Sequence, residues 1–229
     1  MLTLLTTTGC RPEAWAICEK LMLRQDYDGD VRWVVVDDGE IQQPITFKRD
    51  KWLLEVVKPS HVWKIGANTQ QKNLIAGLRH INESENLVII EDDDYYAQNY
   101  LTTVSGLLNN SNLIGQSGSK YYNVKTKKHR QLSNVFHSSL CSTAMKGDAI
   151  AFFKTVCQSK KELIDVELWR KYKGKKQLYR ADCVIGIKGL PGRDGIGIGH
   201  KSSFQGKIDA DGSVFRQWLK SDSEIYEQY

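Results

Sequence analysis

Four apolar residues, Leu87–Ile90, run directly into four consecutive carboxylates, Glu91–Asp94, and few folds can hold such a junction. An apolar run this short, with no polar alternation, reads as a strand buried on both faces, central in a mostly parallel sheet. Its carboxyl end is where such sheets bind ligands. Carboxylates a few ångströms apart raise one another's pKa, and a divalent cation is the usual remedy. Hard oxygen ligands suit Mn²⁺ or Mg²⁺. A solvated acidic loop is the plain alternative, and the position at the end of an apolar strand weighs against it.

The rest of the first half alternates strand and helix signals. Leu2 to Thr8 reads as a strand, and Pro12 stands where a helix can begin, followed by Ala14, Ile17, Cys18 and Leu21 at helical spacing. Val31 to Val36 is a β-branched strand closing in the turn Asp37-Asp38-Gly39. Asn68 to Ile81 carries Leu74, Ile75, Leu78 and Ile81 on one helical face. This alternation predicts a mostly parallel sheet with helices on both faces. Thr8-Gly9-Cys10-Arg11, Asp37-Asp38 and Glu91–Asp94 each follow a strand, so they converge on one edge. The second half is less regular: 148–156 and 161–172 read as helices. Ile185 to His200 is a glycine-rich strand and loop suited to close contact with a ligand, or else a plain hairpin with glycine turns.

A chain of 229 residues fits one α/β domain with a single large core. No apolar stretch nears the roughly 18–20 residues that span a bilayer. The N-terminus has no basic segment before its first strand, so no signal peptide is expected. Five cysteines, none in a CxxC spacing, argue against a zinc site or disulfide framework and for a reducing, cytoplasmic setting. The net charge of +5 is unevenly spread. Lys120 to Arg130 holds five Lys or Arg and Arg170 to Arg180 holds six, neither with a carboxylate. Such stretches point to a polyanionic partner, nucleic acid or an anionic membrane surface, or to two loops whose charge aids solubility.

The stretch Leu87 to Asp94 resembles the DxD strand end of GT-A glycosyltransferases, particularly family 2-like members, and other signposts follow in that family's order. Leu4 to Pro12 resembles its first strand and loop, which borders the nucleotide. Val34 to Gly39 resembles the second strand, whose carboxylate meets the base edge. Gly66-Ala67-Asn68, with Lys72 and Asn73, resembles the segment before the helix that leads to the DxD strand. The resemblance implies a single GT-A (Rossmann-like) domain over 1–229, with 1–100 as the nucleotide-sugar half and 101–229 as the acceptor half. It implies a nucleotide-sugar site, a UDP-sugar foremost, lined by Thr8, Gly9, Arg11, Asp37, Asp38, Gly66, Asn68, Lys72, Asn73, Asp92 and Arg193. Glu91, Asp93, Asp94 and His200 would serve the metal, with Asp93 as the main ligand and Asp92 turned to the ribose or the opposite face.

Asp165-Val166-Glu167 resembles the helix start that supplies the catalytic base of inverting members. Ile164 stands where an acid is usual, which leaves Asp165 and Glu167 both open. An acidic first turn complementing the helix dipole explains either as well. Such chemistry needs a Lewis acid on the leaving diphosphate and a carboxylate to take the acceptor's proton, with Arg193 or Lys201 as a second positive group.

Members of this kind in bacteriophages glycosylate hydroxymethylated pyrimidines in double-stranded DNA, which would set this chain in the host cytoplasm. Tyr121, Lys125, Lys127, Lys128, Trp169 and Lys173 are then candidates for the acceptor side, the aromatics stacking on a flipped base. Those rings could equally be core or sugar-stacking residues. A saccharide or lipid-linked glycan is the alternative acceptor. A nucleotidyltransferase would normally open with a glycine-rich phosphate loop, and Thr8–Pro12 is poor in glycine. A non-catalytic DNA-binding module would not need four carboxylates that repel phosphate.

Overall fold

Leu4 pairs with Val88 and Leu5 with Ile89, so the first strand, β1 (Leu2–Thr8), lies beside the strand that ends in the acidic run, β4 (Asn86–Ile89). This is a computed structural model, which describes every position but 161, 196, 202 and 227, with only the backbone at 198. The other side of β1 pairs with β2 (Val31–Asp37), and β2 with β3 (Trp52–Val57), all parallel. Past β4 come β9 (Thr143–Lys146), antiparallel, then β6 (Leu113–Gln116) and β10 (Lys176–Tyr179). The seven strands lie in the order β10-β6-β9-β4-β1-β2-β3.

Alternation along the central strands sends neighbouring residues to opposite faces. Leu5, Val34, Val36, Leu87 and Ile89 pack against α2 (Gln70–Leu78), α4 (Asp148–Ser159) and α5 (Ile164–Lys171). Leu4, Trp33, Val35, Val88 and Ile90 pack against α1 (Pro12–Leu23) and α3 (Tyr100–Leu108). With both faces covered, β4 has no reason to alternate polar residues, which is why it reads as a continuous apolar run. The expected helix over 161–172 is observed as α5; its first position, 161, lies outside the described residues.

The second half is more ordered than its sequence pattern predicts. β5 (Tyr95–Tyr96), β7 (Lys120–Asn123), β8 (Lys128–Gln131), β11 (Val184–Lys188) and β12 (Lys207–Ile208) form a small sheet in the order β12-β8-β7-β11-β5. These strands are two to five residues long, too short for a clear period. The last helix, α6 (Ser213–Leu219), follows β12 and Phe215 stacks on Tyr122. All five cysteines are unpaired, and no described helix is long and apolar enough to cross a membrane.

The loop from Gly39 to Lys51 has almost no regular structure, yet it is pinned. Buried Glu19 of α1 accepts hydrogen bonds from the Thr46 and Phe47 amides (2.8 and 2.9 Å) and the Thr46 hydroxyl (2.6 Å). Arg49 donates to the carbonyls of Met22, Gln25 and Tyr27, capping the C-terminal end of α1. The loop thereby delivers Gln43, whose side chain accepts from the Arg11 amide at 2.8 Å. Replacing Glu19 with Ala leaves the buried Phe47 amide unpaired and is expected to cost about 1.5–3 kcal/mol. Urea unfolding measures this, and Glu19→Gln, which keeps an acceptor, should lose clearly less.

Candidate active site

The chain leaves β1 toward β2 and β3 on one side and later returns as β4 on the other, so a crevice opens at the carboxyl ends of these strands. Three loops meet there. Gly9, with φ of +140°, turns the chain hard after β1; a Cβ on it would stand 2.7 Å from the Gly39 amide, so only glycine fits against Asp38. The turn aims Arg11 at the acidic run. Its guanidinium donates to Asp92 Oδ1 (2.6 Å) and Asp93 Oδ2 (2.7 Å), forking across both carboxylates. Thr8 donates to the other oxygen of Asp92 at 2.6 Å.

Asp93 also faces two groups from the late loop. His200 Nε2 lies 3.1 Å and Lys188 Nζ 3.6 Å from its Oδ2. Asp94, fully buried, accepts from Lys188 Nζ (2.7 Å) and the Ile187 amide (3.0 Å) at Oδ1. Its Oδ2 has no hydrogen-bond partner among the described residues, and Asp94 forms with Glu91 and the Cys141 thiol a cluster whose ligand atoms are within 4.8 Å of one another. Glu91, half-buried, accepts from Gln70 Nε2 at 3.1 Å.

The electrostatics follow from this packing. Burial pushes Asp92 up to about 6 against the pull of Arg11. Burial works against the charge of Asp93 too, but Arg11, Lys188 and His200 together hold it well below the usual carboxylate range. Burial also lowers His200, with its bond to Asp93 opposing. Burial and the neighbouring Asp94 raise Glu91, and burial raises Asp94.

The resemblance put Asp37 and Asp38 at the nucleotide, and both are committed to protein groups. Asp37 accepts from the Gly39 amide (2.9 Å) and the Gln43 amide (2.8 Å), closing the turn after β2. Asp38 accepts from Asn73 Nδ2 (2.8 Å), the Thr69 hydroxyl and Arg193 Nη1 (2.7 Å). Arg193 lies over the Trp63 ring, 4.9 Å from its centroid, and donates to Thr69. Gly192, at φ +94°, approaches within 3.0 Å of the Cys10 carbonyl when given a Cβ, and the Arg193 amide donates to that carbonyl. The late loop is thus strapped across the first one. Gly66, Asn68 and Lys72 are exposed on the flank: Gly66 and Asn68 shape the turn before α2 and do not join the acidic cluster.

On the other side, Ser139 joins Tyr121 and Ser119 through their hydroxyls, and the Cys141 carbonyl accepts from Tyr96. Asp165 sits half-buried at the first turn of α5, raised by burial and opposed by nearby His137. Glu167, the second candidate base, is corrected by its surroundings: Lys171 and Arg170, each at 2.7 Å, hold its carboxylate and lower its pKa, making it an ion-pair hub of α5. Trp169 is a second correction. Its ring is buried in the core with Nε1 on Thr143, so no face is left for a ligand. Lys125, Lys127 and Lys173 are exposed, whereas Lys128 reaches back to the Phe204 carbonyl. Lys120, counted among the basic stretch, is buried against Asp182 and Trp218.

Sequence reasoning missed Lys188, Thr69, Trp63, His61 and Gln43. Only Lys188 carried a signal, a lone cation closing the apolar strand β11. His61 Nε2 donates to Asn73 Oδ1, 2.8 Å away, and so orients the amide that donates to Asp38.

A seven-stranded sheet with one antiparallel member, helices on both faces, and an acidic run at the end of β4 is a GT-A-like glycosyltransferase fold. No family model matches the sequence, and no curated protein does. Among solved structures it is similar to S. aureus TarS, at TM-score 0.55 and 12% identity over 82% of this chain and 37% of that one. TarS 1-349 in complex with UDP gives 0.54 and 10%, over 82% and 60%. TarS 1-349 in complex with UDP-GlcNAc gives 0.54 and 12%, over 100% and 73%. The chain therefore spans less than two thirds of the first two, and at this identity the likeness fixes the fold alone.

Arg11 is the cation that this crevice depends on. Replacing it with Leu leaves Asp92 buried without a cation and Asp93 with only Lys188 and His200, and in metal-free protein should cost about 3–5 kcal/mol at pH 7.5. Losing the cation raises both carboxylates' folded-state pKa values, Asp92 from a value that burial already lifts. The deficit is therefore smallest at low pH and grows as pH rises through the folded values. Urea unfolding of Arg11→Leu at pH 5 and pH 7.5 should show the larger loss at pH 7.5; an equal loss would mean that charge is not the cause.

Proposed function

We propose that the chain is a metal-dependent, inverting glycosyltransferase that transfers a sugar from a nucleotide-sugar, a UDP-sugar foremost, to a hydroxyl acceptor. The observation that carries this reading is the convergence of Asp93 Oδ2 and His200 Nε2, 3.1 Å apart, in the crevice beside Thr8 and Arg11. Two such atoms are spaced as neighbouring ligands of one ion. Arg11 and Lys188 offset two of the four carboxylates, and the remaining formal charge suits a divalent cation. The residues fit Mn²⁺ or Mg²⁺, held by Asp93 and His200. When bound, such an ion supplies a Lewis acid for the leaving diphosphate.

The chain's own groups do the rest. Asp92, which the resemblance turned to the ribose or the opposite face, is buried between Thr8 and Arg11 and serves to hold the guanidinium beside Asp93. Gly192 and Arg193, tied to the Cys10 carbonyl, cover the first loop and would shield the diphosphate from water. Asp165 takes the acceptor's proton at its carboxylate, and burial, which raises it, makes it a better base. The fold shared with TarS, crystallised with UDP and UDP-GlcNAc, supports a UDP-sugar as the first donor to try.

Screening UDP- and GDP-sugars with Mn²⁺ should raise the melting temperature by mass action and reveal turnover. EDTA and Asp93→Ala should each abolish turnover while the fold survives. Asp165→Asn should cost about 10²–10⁴ in kcat and leave metal-dependent donor binding intact. Full activity in EDTA would end the metal reading, and a loss confined to Glu167→Gln would move the base by two residues.

For the acceptor we favour double-stranded DNA carrying hydroxymethylated pyrimidines, because Lys125, Lys127 and Lys173 are exposed and unshared with the core. Binding should then weaken with salt at a log–log slope of about −0.9 per phosphate contacted. Lys125→Ala with Lys127→Ala should flatten the slope and raise KM for DNA without changing donor hydrolysis. Gel shifts of hydroxymethylated and plain DNA at two salt concentrations measure this. No binding to either at low salt would favour a saccharide or lipid-linked glycan instead.

A further inference from the structure

We propose that Lys188 is the positioning residue that selects which carboxylates hold the metal, acting on both ligands at once; this rests on the metal reading above. Its two ends have separate tasks. The ammonium group, 2.7 Å from Asp94 Oδ1 and joined there by the Ile187 amide, commits Asp94 to the protein. Asp94 is thereby withheld from any ion, although its Oδ2 is buried and without a partner among the described residues, and Glu91 and Cys141 lie close by. The same ammonium stands 3.6 Å from Asp93 Oδ2, which Arg11 Nη2 also meets at 2.7 Å, so the two cations repel an ion from their flanks and leave the side of His200.

The alkyl stem of Lys188 is a seat. Gly199 packs on it so closely that a Cβ would stand 2.8 Å from Lys188 Cγ. Asn123 Nδ2 holds the Gly199 carbonyl from the other side at 2.8 Å. The next residue is His200, so the stem sets the height at which the imidazole meets Asp93. One lysine thus excludes one carboxylate and aligns the two groups that remain.

The two tasks give opposite signs on metal affinity, which a merely structural lysine would not. Lys188→Met keeps the stem and removes the charge. Asp94 is then free to join, and a repelling unit charge a few ångströms from a divalent ion is gone. Even at the permittivity of water this tightens binding by about tenfold. Gly199→Ala keeps every charge and lifts the loop off its seat, and should weaken binding by about 10–100-fold, the usual effect of disturbing a ligand's support. It should match His200→Ala. Lys188→Arg restores the charge and should return affinity to near the wild-type value.

The test is titration of the metal-free full chain with Mn²⁺ alone, counting free ion by electron paramagnetic resonance. Tighter binding by Lys188→Met together with weaker binding by Gly199→Ala is the expected result. Lys188→Met breaks a buried pair and should melt at lower temperature, and Gly199→Ala tests the seat with that pair intact. Unchanged or weaker Mn²⁺ binding by folded Lys188→Met overturns the selecting role, and wild-type binding by Gly199→Ala overturns the seat. A wild-type chain that takes up no Mn²⁺ overturns the metal reading itself, which separates that failure from the other two.

Discussion

The crevice exists because Arg11 can be buried between two carboxylates. Asp92 is almost wholly inaccessible and Asp93 nearly so, and neither could sit beside the other at the end of a buried strand without the guanidinium fork between them. Lysine would not substitute, since it lacks the planar fork that sends a separate nitrogen to each carboxylate, Nη1 to Asp92 and Nη2 to Asp93. Holding Arg11 in that pose requires the sharp turn at Gly9, the Gln43 side chain on the Arg11 amide, and a pinned 39–51 loop behind Gln43. The loop in turn leans on Glu19 of α1. Much of the architecture around the first loop is a scaffold for one buried cation.

A second cation, Lys188, completes the balance from the opposite direction in the chain. It arrives from the small sheet, whose strand β11 runs beside β7 and β5. The two sheets are thus joined electrostatically at the acidic run as well as by packing. Arg193 repeats the device at Asp38, where it is sandwiched by Trp63 and Thr69. Each of three strand-end carboxylate groups is met by a basic residue from a distant segment, and each such pair draws a loop inward over the crevice.

The opposite side of the crevice is built differently. It relies on hydroxyl contacts among Ser119, Tyr121, Ser138, Ser139 and Ser142 and on the tight passage of Ser138 and Trp169 over Gly115. Neutral hydrogen bonds of this kind fix geometry with little desolvation of charge. Asp165, at the start of α5, borders this segment through His137.

The strand-helix alternation, the central position of β4 and the meeting of three strand-end loops were legible in the sequence, because burial on both faces leaves an unbroken apolar run and parallel strands end on one edge. Short strands such as β5, β8 and β12 were not, since two to four residues carry no period. Nor could spacing reveal which acids are already spoken for. Asp165 and Glu167 look alike two residues apart, and only the folded helix gives Glu167 to Lys171 and Arg170. Trp169 reads equally as a stacking platform or as core until the sheet closes over it. The sequence by itself determined that carboxylates gather at a strand end and must be neutralised. The tertiary structure decided by which cations, because Arg11, Lys188 and Arg193 come from segments that only long-range folding brings within hydrogen-bond reach.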